Sequence, residues 1–261
     1  MSPTERFVAL VRDPESRLRL DEAALLVAAH RYPDLDVDAE LARVDELAAG
    51  VPEPTLDGLI AHLFGELGFA GDRETYDDER NTFLNDVLDR RRGLPISLSI
   101  LAIEVGRRVG VPLAPVGMPG HFLVRDRVDP GVFVDPFDGG RLLDADGAEA
   151  IFRAAHGAHA RLDPQHLLPT PPRAVVARVL TNLKVRYADA RRASDLVWVT
   201  RLRAAIPGVP VDERRDLARA LAARGRFAEA ASELDALAEL FGGDDGDELR
   251  HLAVGLRARL S

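Results

Sequence analysis

Two short apolar runs, His121-Phe122-Leu123-Val124-Arg125 and Val132-Phe133-Val134-Asp135-Pro136-Phe137, decide how the middle of this chain folds. They follow Pro95 to Val109, where Ile96, Leu98, Ile100, Leu101, Ile103, Val105 and Val109 leave almost no polar side. A helix that is hydrophobic all round is one buried inside a domain. The runs after it are rich in β-branched and aromatic residues and broken by Pro and Gly, which reads as strands. Leu113 to Val116 and Arg141 to Leu143 complete a small antiparallel sheet, and Gly93 and Gly110 bracket the helix as breakers.

His121 and Asp135 lie on two of these runs. A carboxylate reaching an imidazole from a neighbouring strand fixes its tautomer and leaves the other ring nitrogen free to act on a nucleophile at a helix start. The nucleophile usual in such a layout is a cysteine, and the chain contains none. Disulfides, thiolate chemistry and cysteine zinc sites are thereby excluded.

Upstream, residues 4 to 91 read as short amphipathic helices, with Asp21 and Asp36 as N-caps. Thr55 to Leu67 and Asn81 to Arg91 continue that pattern. Downstream, Asp146 to Ala155 is helical and the proline-rich Pro164 to Pro172 is a link between modules. Beyond it a weak repeat appears. An offset of 35 residues superposes Leu202 on Leu237, Ile206 on Phe241, Asp212 on Asp247, Arg215 on Arg250 and Leu217 on Leu252. The tetratricopeptide helix pair repeats at about 34 residues. So few repeats do not stand alone, which predicts a helical module packed on the domain before it; two ordinary helical hairpins are the plainer alternative. The expected division is 1–163 for the helical N-terminal part and core, and 172–261 for the helical module.

Composition narrows the function classes. With 46% apolar residues in 261, a core can be filled, and no uncharged apolar run reaches the length of a membrane span. Met1 to Arg6 lacks the basic-then-apolar order of a secretion signal, so the cytoplasm is the expected compartment. A net charge of -9 argues against nucleic acid as the main partner. Residues 173 to 226 are a local exception, with thirteen Lys or Arg against five Asp or Glu, but they lack the aromatic interleaving of single-strand binders. His156 and His159 are three apart, yet Gly157 between them marks a helix end and no metal site is expected. Gly139-Gly140 lacks the following Lys, Ser or Thr of a phosphate loop, and no cofactor is expected.

Four separated stretches occur in order: Asn81 to Leu88, Arg92 to Ser99, Pro119 to Arg125 and Asp135 to Gly140. Together they resemble the SirB1 family, a bacterial group with a transglutaminase-like domain followed by tetratricopeptide-like helices. The resemblance covers roughly residues 20 to 250. It implies an α+β fold: a papain-like, transglutaminase-like core of helices and a small antiparallel sheet, followed by an all-helical module. It also implies that His121 and Asp135 match the superfamily's catalytic His and Asp, and that the missing Cys would stand near Pro95, at most as far on as Ser97. It brings no established activity.

Ser97 is the best substitute nucleophile, since helical spacing sets it on the side of Glu104 and Arg108 while Ser99 points elsewhere. The competing reading is a helix-start serine bonding its own backbone. His121 and Asp135 likewise allow a working base or a structural pair that fixes two strands, and Asp135 before Pro136 also fits a chain-turning residue. A cleft at this place would be lined by Asn85, Pro95, Glu104 and Arg125, the last equally well a surface charge. The leading expectation is a non-catalytic transglutaminase-like and tetratricopeptide-like protein that binds proteins or peptides as a scaffold. Its rival is a hydrolase using Ser97, His121 and Asp135 on an acyl or peptide substrate.

Overall fold

The computed structural model of the chain describes residues 1–260. Helices α1 (Pro3–Arg12), α2 (Leu20–Ala28), α3 (Val37–Ala49) and α4 (Leu56–Ile60) open it, α4 running on as a π-helical turn over Ala61–Glu66. Strand β1 (Ala70–Gly71) leads to α5 (Leu84–Arg90), strand β2 (Arg92–Gly93) and α6 (Pro95–Val109). Strands β3 (Leu113–Val116), β4 (Leu123–Asp126), β5 (Phe133–Asp135) and β6 (Arg141–Leu143) follow. Helices α7 (Ala145–His156), α8 (Pro172–Asp189), α9 (Ala193–Ala205), α10 (Asp212–Ala223), α11 (Phe227–Phe241) and α12 (Gly243–Arg257) complete the chain. No helix among the described residues is long and apolar enough to cross a membrane.

Two compact units form, one from Met1–Arg6 with Asp13–Val179, the other from Phe7–Arg12 with the residues from Leu180 onward. In the first, α6 is the central rod: every residue from Pro95 to Gly106 is buried. It packs on α2, α3 and α5 and on strands β3 and β4, so its lack of a polar face follows from having neighbours all round. Gly110, at φ +81°, ends it in the left-handed conformation that glycine adopts without a Cβ clash.

The strands pair antiparallel in the order β3-β4-β5-β6, with Val124 opposite Val134 and Phe133 opposite Leu143. Leu123, Phe133 and Leu143 cluster with Ala148 and Phe152 of α7, while Val124 alternates to the other face, toward α6. The sheet is therefore covered on both faces, which is why its strands read as continuous apolar runs. Separately, β1 and β2 form a two-residue parallel pair, Ala70 opposite Arg92 and Gly71 opposite Gly93.

Two local expectations need correction. Asp21 does not cap α2, which starts at Leu20 with Arg19 in the cap position, two residues earlier than expected. Its side chain is fully buried and paired with Arg19 and Arg108, because the first turn of α2 faces α6 rather than solvent. The strand expected from His121 starts at Leu123, since Pro119-Gly120 turns the chain and the His121 N–H donates to the Met118 carbonyl at 3.3 Å. Asp36 does cap α3, accepting from the N–H groups of Asp38 and Ala39.

In the second unit, α9 to α12 pack each on the next around Leu217, Leu221, Leu234, Leu237 and Leu249. Positions 35 apart agree in part, although Leu217 is buried and Leu252 exposed. Asp212 pairs with Arg215 at 3.2 Å and Asp247 with Arg250 at 2.7 Å, and Leu202 and Leu237 are both fully buried. Inside this unit Glu213 holds Lys184 at 2.9 Å and Arg203 at 2.6 Å.

Candidate functional site

His121 and Asp135 meet. The Asp135 Oδ2 lies 3.0 Å from the His121 Nε2, with both side chains largely shielded from water. Each half of the pair is built locally. Met118-Pro119-Gly120-His121 is a turn with Pro second and Gly third, Gly120 at φ +77°, a geometry that glycine takes without strain. At the other side the Asp135 Oδ1 accepts from the N–H groups of Phe137 at 3.0 Å and Asp138 at 3.3 Å. One carboxylate oxygen thus turns the chain after β5 while the other holds the imidazole. The chain-turning and imidazole-holding readings of Asp135 are satisfied by the same side chain.

The pair is supported from further away. Arg178 of α8 donates to the carbonyls of Met118 at 2.9 Å and His121 at 3.0 Å, and its guanidinium lies 5.4 Å from the Phe122 ring centre. Burial pushes this guanidinium below its usual pKa. His156, at the end of α7, meets the Pro119 carbonyl at 3.2 Å. The Phe137 ring stands edge-on to His121 at 6.0 Å and to Tyr76 at 5.8 Å, with Arg73 above it at 5.2 Å.

Ser97 lies elsewhere in the hydrogen-bond network. Its Oγ donates to the Asn81 carbonyl at 2.7 Å and accepts the Leu94 N–H at 3.0 Å, and the residue is 2% exposed. Those contacts are the backbone-bonding role of a serine in the first turn of a helix. Neither is with His121. Glu104 faces α2, where its carboxylate accepts the Leu20 N–H at 2.8 Å and pairs with Arg107 at 2.8 Å. Burial first, then the Asp21 carboxylate, raises its pKa. Arg125 lies over Phe133 and donates to the Pro130 carbonyl at 2.6 Å, so it is tied to its own hairpin. Pro95 is buried as the first residue of α6, and Asn85 is buried with its Oδ1 unpartnered.

One cluster escaped the sequence reading. Asp72 accepts the Thr75 hydroxyl at 2.6 Å, the Thr75 N–H at 2.8 Å and Arg90 at 2.9 Å, while Arg90 also donates to Asn81 at 2.9 Å. The Thr75 hydroxyl, then its N–H, hold the Asp72 carboxyl well below the usual range. A cavity of about 410 Å3 opens here, between Asp72, Thr75, Arg90 and Arg92. It adjoins the site because the Gly71 N–H donates to the Phe137 carbonyl at 2.9 Å. The Asp-x-x-Thr spacing was the available signal, as it is the pattern of a local side-chain turn. For Arg178 no local signal exists, since its partners are some 57 positions away.

His121 on the turn before β4 and Asp135 at the end of β5 lie in a stretch that the family model of the transglutaminase-like superfamily matches over residues 19–181. The chain belongs to that superfamily. Among relatives of this transglutaminase-like chain, a UPF0162 protein of Xylella fastidiosa strain Temecula1 is 42% identical over 191 residues, 68% of each chain. A UPF0162 protein of Vibrio cholerae is 33% identical over 167 residues, 61% of this chain and 60% of its own. Human F-box only protein 21 is 38% identical over 96 residues, 36% of this chain and 15% of its own length. No solved structure matches the chain.

Proposed function

We propose that this chain is a SirB1-like protein whose transglutaminase-like core is non-catalytic, and that with its tetratricopeptide-like helices it serves in the cytoplasm as a scaffold binding proteins or peptides. The observation that carries the reading is the double engagement of Ser97 in a chain without cysteine. Its hydroxyl is committed to Asn81 and Leu94, so the His121–Asp135 pair has no activated serine to serve. The pair instead joins two turns of the sheet. A further support is the stretch like this one inside F-box only protein 21, where it forms 15% of a longer chain.

The His121–Asp135 contact, at 3.0 Å, favours one rival: a hydrolase in which Ser97 is released from its cap and His121 acts as base. Labelling the purified chain with a serine-reactive fluorophosphonate, beside Ser97→Ala and His121→Ala, separates the two. The scaffold reading expects no labelling in any sample. Labelling that vanishes in both variants overturns it. Proximity labelling in cells that finds no specific partner counts equally against a scaffold.

A further inference from the structure

The C-terminal unit carries a groove that the His121 site does not use. Its volume is about 630 Å3, and it is lined by residues of α10, α11 and α12. Leu234 and Leu249, both buried, lie at its floor, and Leu252 and Leu256 extend the apolar surface outward. Leu252 is 54% exposed, whereas Leu217, its counterpart at the offset of 35, is 2% exposed. A position covered inside the helical array is thus open on α12.

The rim is basic. Arg215, Arg219, His251 and Arg259 line the groove against one acid, Glu248. Arg215 and Arg219 are each bonded to an acid three residues back on their own helix, Asp212 at 3.2 Å and Asp216 at 2.7 Å. Exposed pairs of this kind contribute little and exchange readily for another carboxylate. Arg259 forms no ion pair among the described residues; its guanidinium lies 5.6 Å from the Phe227 ring centre. Arg215 is held the same way, 5.2 Å from Phe241. A guanidinium held over a ring loses little freedom when it binds a carboxylate, and that of Arg259 is engaged by no carboxylate among the described residues.

We infer that this groove docks an acidic amphipathic segment of a partner protein, with apolar side chains on Leu234, Leu249, Leu252 and Leu256 and carboxylates on Arg215, Arg219 and Arg259. The choice of partner follows from charge complementarity. On a chain of net charge -9, the lining of this groove carries three guanidinium groups against one carboxylate, Glu248; Arg215 and Arg219 are shared with Asp212 and Asp216 behind the rim, and among the described residues Arg259 is held only by the Phe227 ring. A basic helix would meet the guanidinium groups with like charge, and a nucleic acid would leave the leucines unfilled. The inference rests on the scaffold reading and names the surface that reading requires.

The test uses the full chain and a fluorescein-labelled synthetic helix of about 18 residues, roughly five turns, with Leu along one face and Glu elsewhere. Matched probes carry Lys in place of Glu, or are single-stranded oligonucleotides. Fluorescence anisotropy should show saturable binding of the Glu helix only. Leu252→Asp and the double variant Arg219→Glu with Arg259→Glu should each weaken it about tenfold or more. These positions are exposed, and thermal melts will show whether the variants stay folded. Equal binding of the Lys helix, tighter binding of the oligonucleotide, or unchanged affinity in both folded variants would overturn the inference. So would a dimer that Leu252→Asp dissociates, because a second copy would then fill the groove. Proximity labelling in cells with the same variants separates this failure from that of the scaffold reading. Partners kept by the variants refute the groove alone, whereas no partners even for the unaltered chain refute the scaffold.

Discussion

Arg178 donates to the backbone carbonyl of His121 at 3.0 Å, so the imidazole is presented on a turn held by a side chain from α8. Removing that guanidinium takes the donor from the His121 carbonyl, leaves the Met118 carbonyl with only the His121 N–H at 3.3 Å, and uncovers Phe122. We expect Arg178→Ala to lower unfolding stability by about 2–4 kcal/mol, with Arg178→Lys recovering part of it. Urea titration measures the loss, and an unaltered midpoint would show that the turn holds itself.

Ser97→Ala should be mild. The Leu94 N–H keeps a second acceptor, the Asn81 carbonyl at 3.0 Å, so only the hydroxyl's own bonds disappear. A loss of about 1 kcal/mol is expected from thermal or urea unfolding. A variant that instead abolishes a hydrolytic signal at unchanged stability would place Ser97 in chemistry.

Asp135→Ala should cost more than His121→Ala. The carboxylate serves the imidazole and the N–H groups of Phe137 and Asp138, whereas His121 gives up one side-chain bond. We expect about 2–3 kcal/mol against about 1 kcal/mol, with Asp135→Asn in between because its amide oxygen still accepts from the turn. Parallel urea titrations of the three variants check the order.

Two carboxylates should drive stability with pH in opposite directions. Glu104 has a raised pKa in the folded chain, from burial and then Asp21, so the folded state holds its proton more tightly than the unfolded one. Its stabilising contribution is complete below the ordinary glutamate value and is lost as pH rises through the raised one. Asp72 is lowered, by Thr75 above all, so its contribution is present above the ordinary aspartate value and fades as pH falls through the lowered one. Unfolding free energies of Glu104→Gln and Asp72→Asn, followed against pH beside the unaltered chain, should diverge from it in those two separate windows.

Gly71 lies where a Cβ would overlap the Phe137 ring. Gly71→Ala should displace that ring, shift the His121 imidazole resonances in NMR and cost about 1–3 kcal/mol. Unmoved resonances would mean that Phe137 does not set the surroundings of His121.

Elements whose pattern is set by their own burial were legible in the sequence. Periodicity and composition predict a buried helix over Pro95 to Val109 and strands over Leu113 to Val116 and Arg141 to Leu143, and these stand as α6, β3 and β6. The pairing of His121 with Asp135 followed from strand order. What sequence could not supply was direction and long-range contact. Helical spacing grouped Ser97 with Glu104, but Ser97 turns to Asn81 and Glu104 to the Leu20 N–H, because partners, not periodicity, choose where a buried polar group points. Asp21 looked like a cap for the same reason: a carboxylate at a helix start is the same letter whether it meets water or Arg108.

The two-residue pairing of β1 with β2, together with the Gly71 N–H on the Phe137 carbonyl, bears on the order in which this chain assembles. His121 and Asp135 are 14 positions apart on successive hairpins, a short loop to close. Gly71 reaches the Phe137 turn, and Arg178 the His121 turn, only after much longer stretches have come together, and closing long loops is the slow part of folding. The pair itself thus closes a short loop, whereas the contacts that hold it, from Gly71 and Arg178, close much longer ones. A nascent chain whose synthesis has stopped short of α8 carries the His and the Asp without the clamp that sets them.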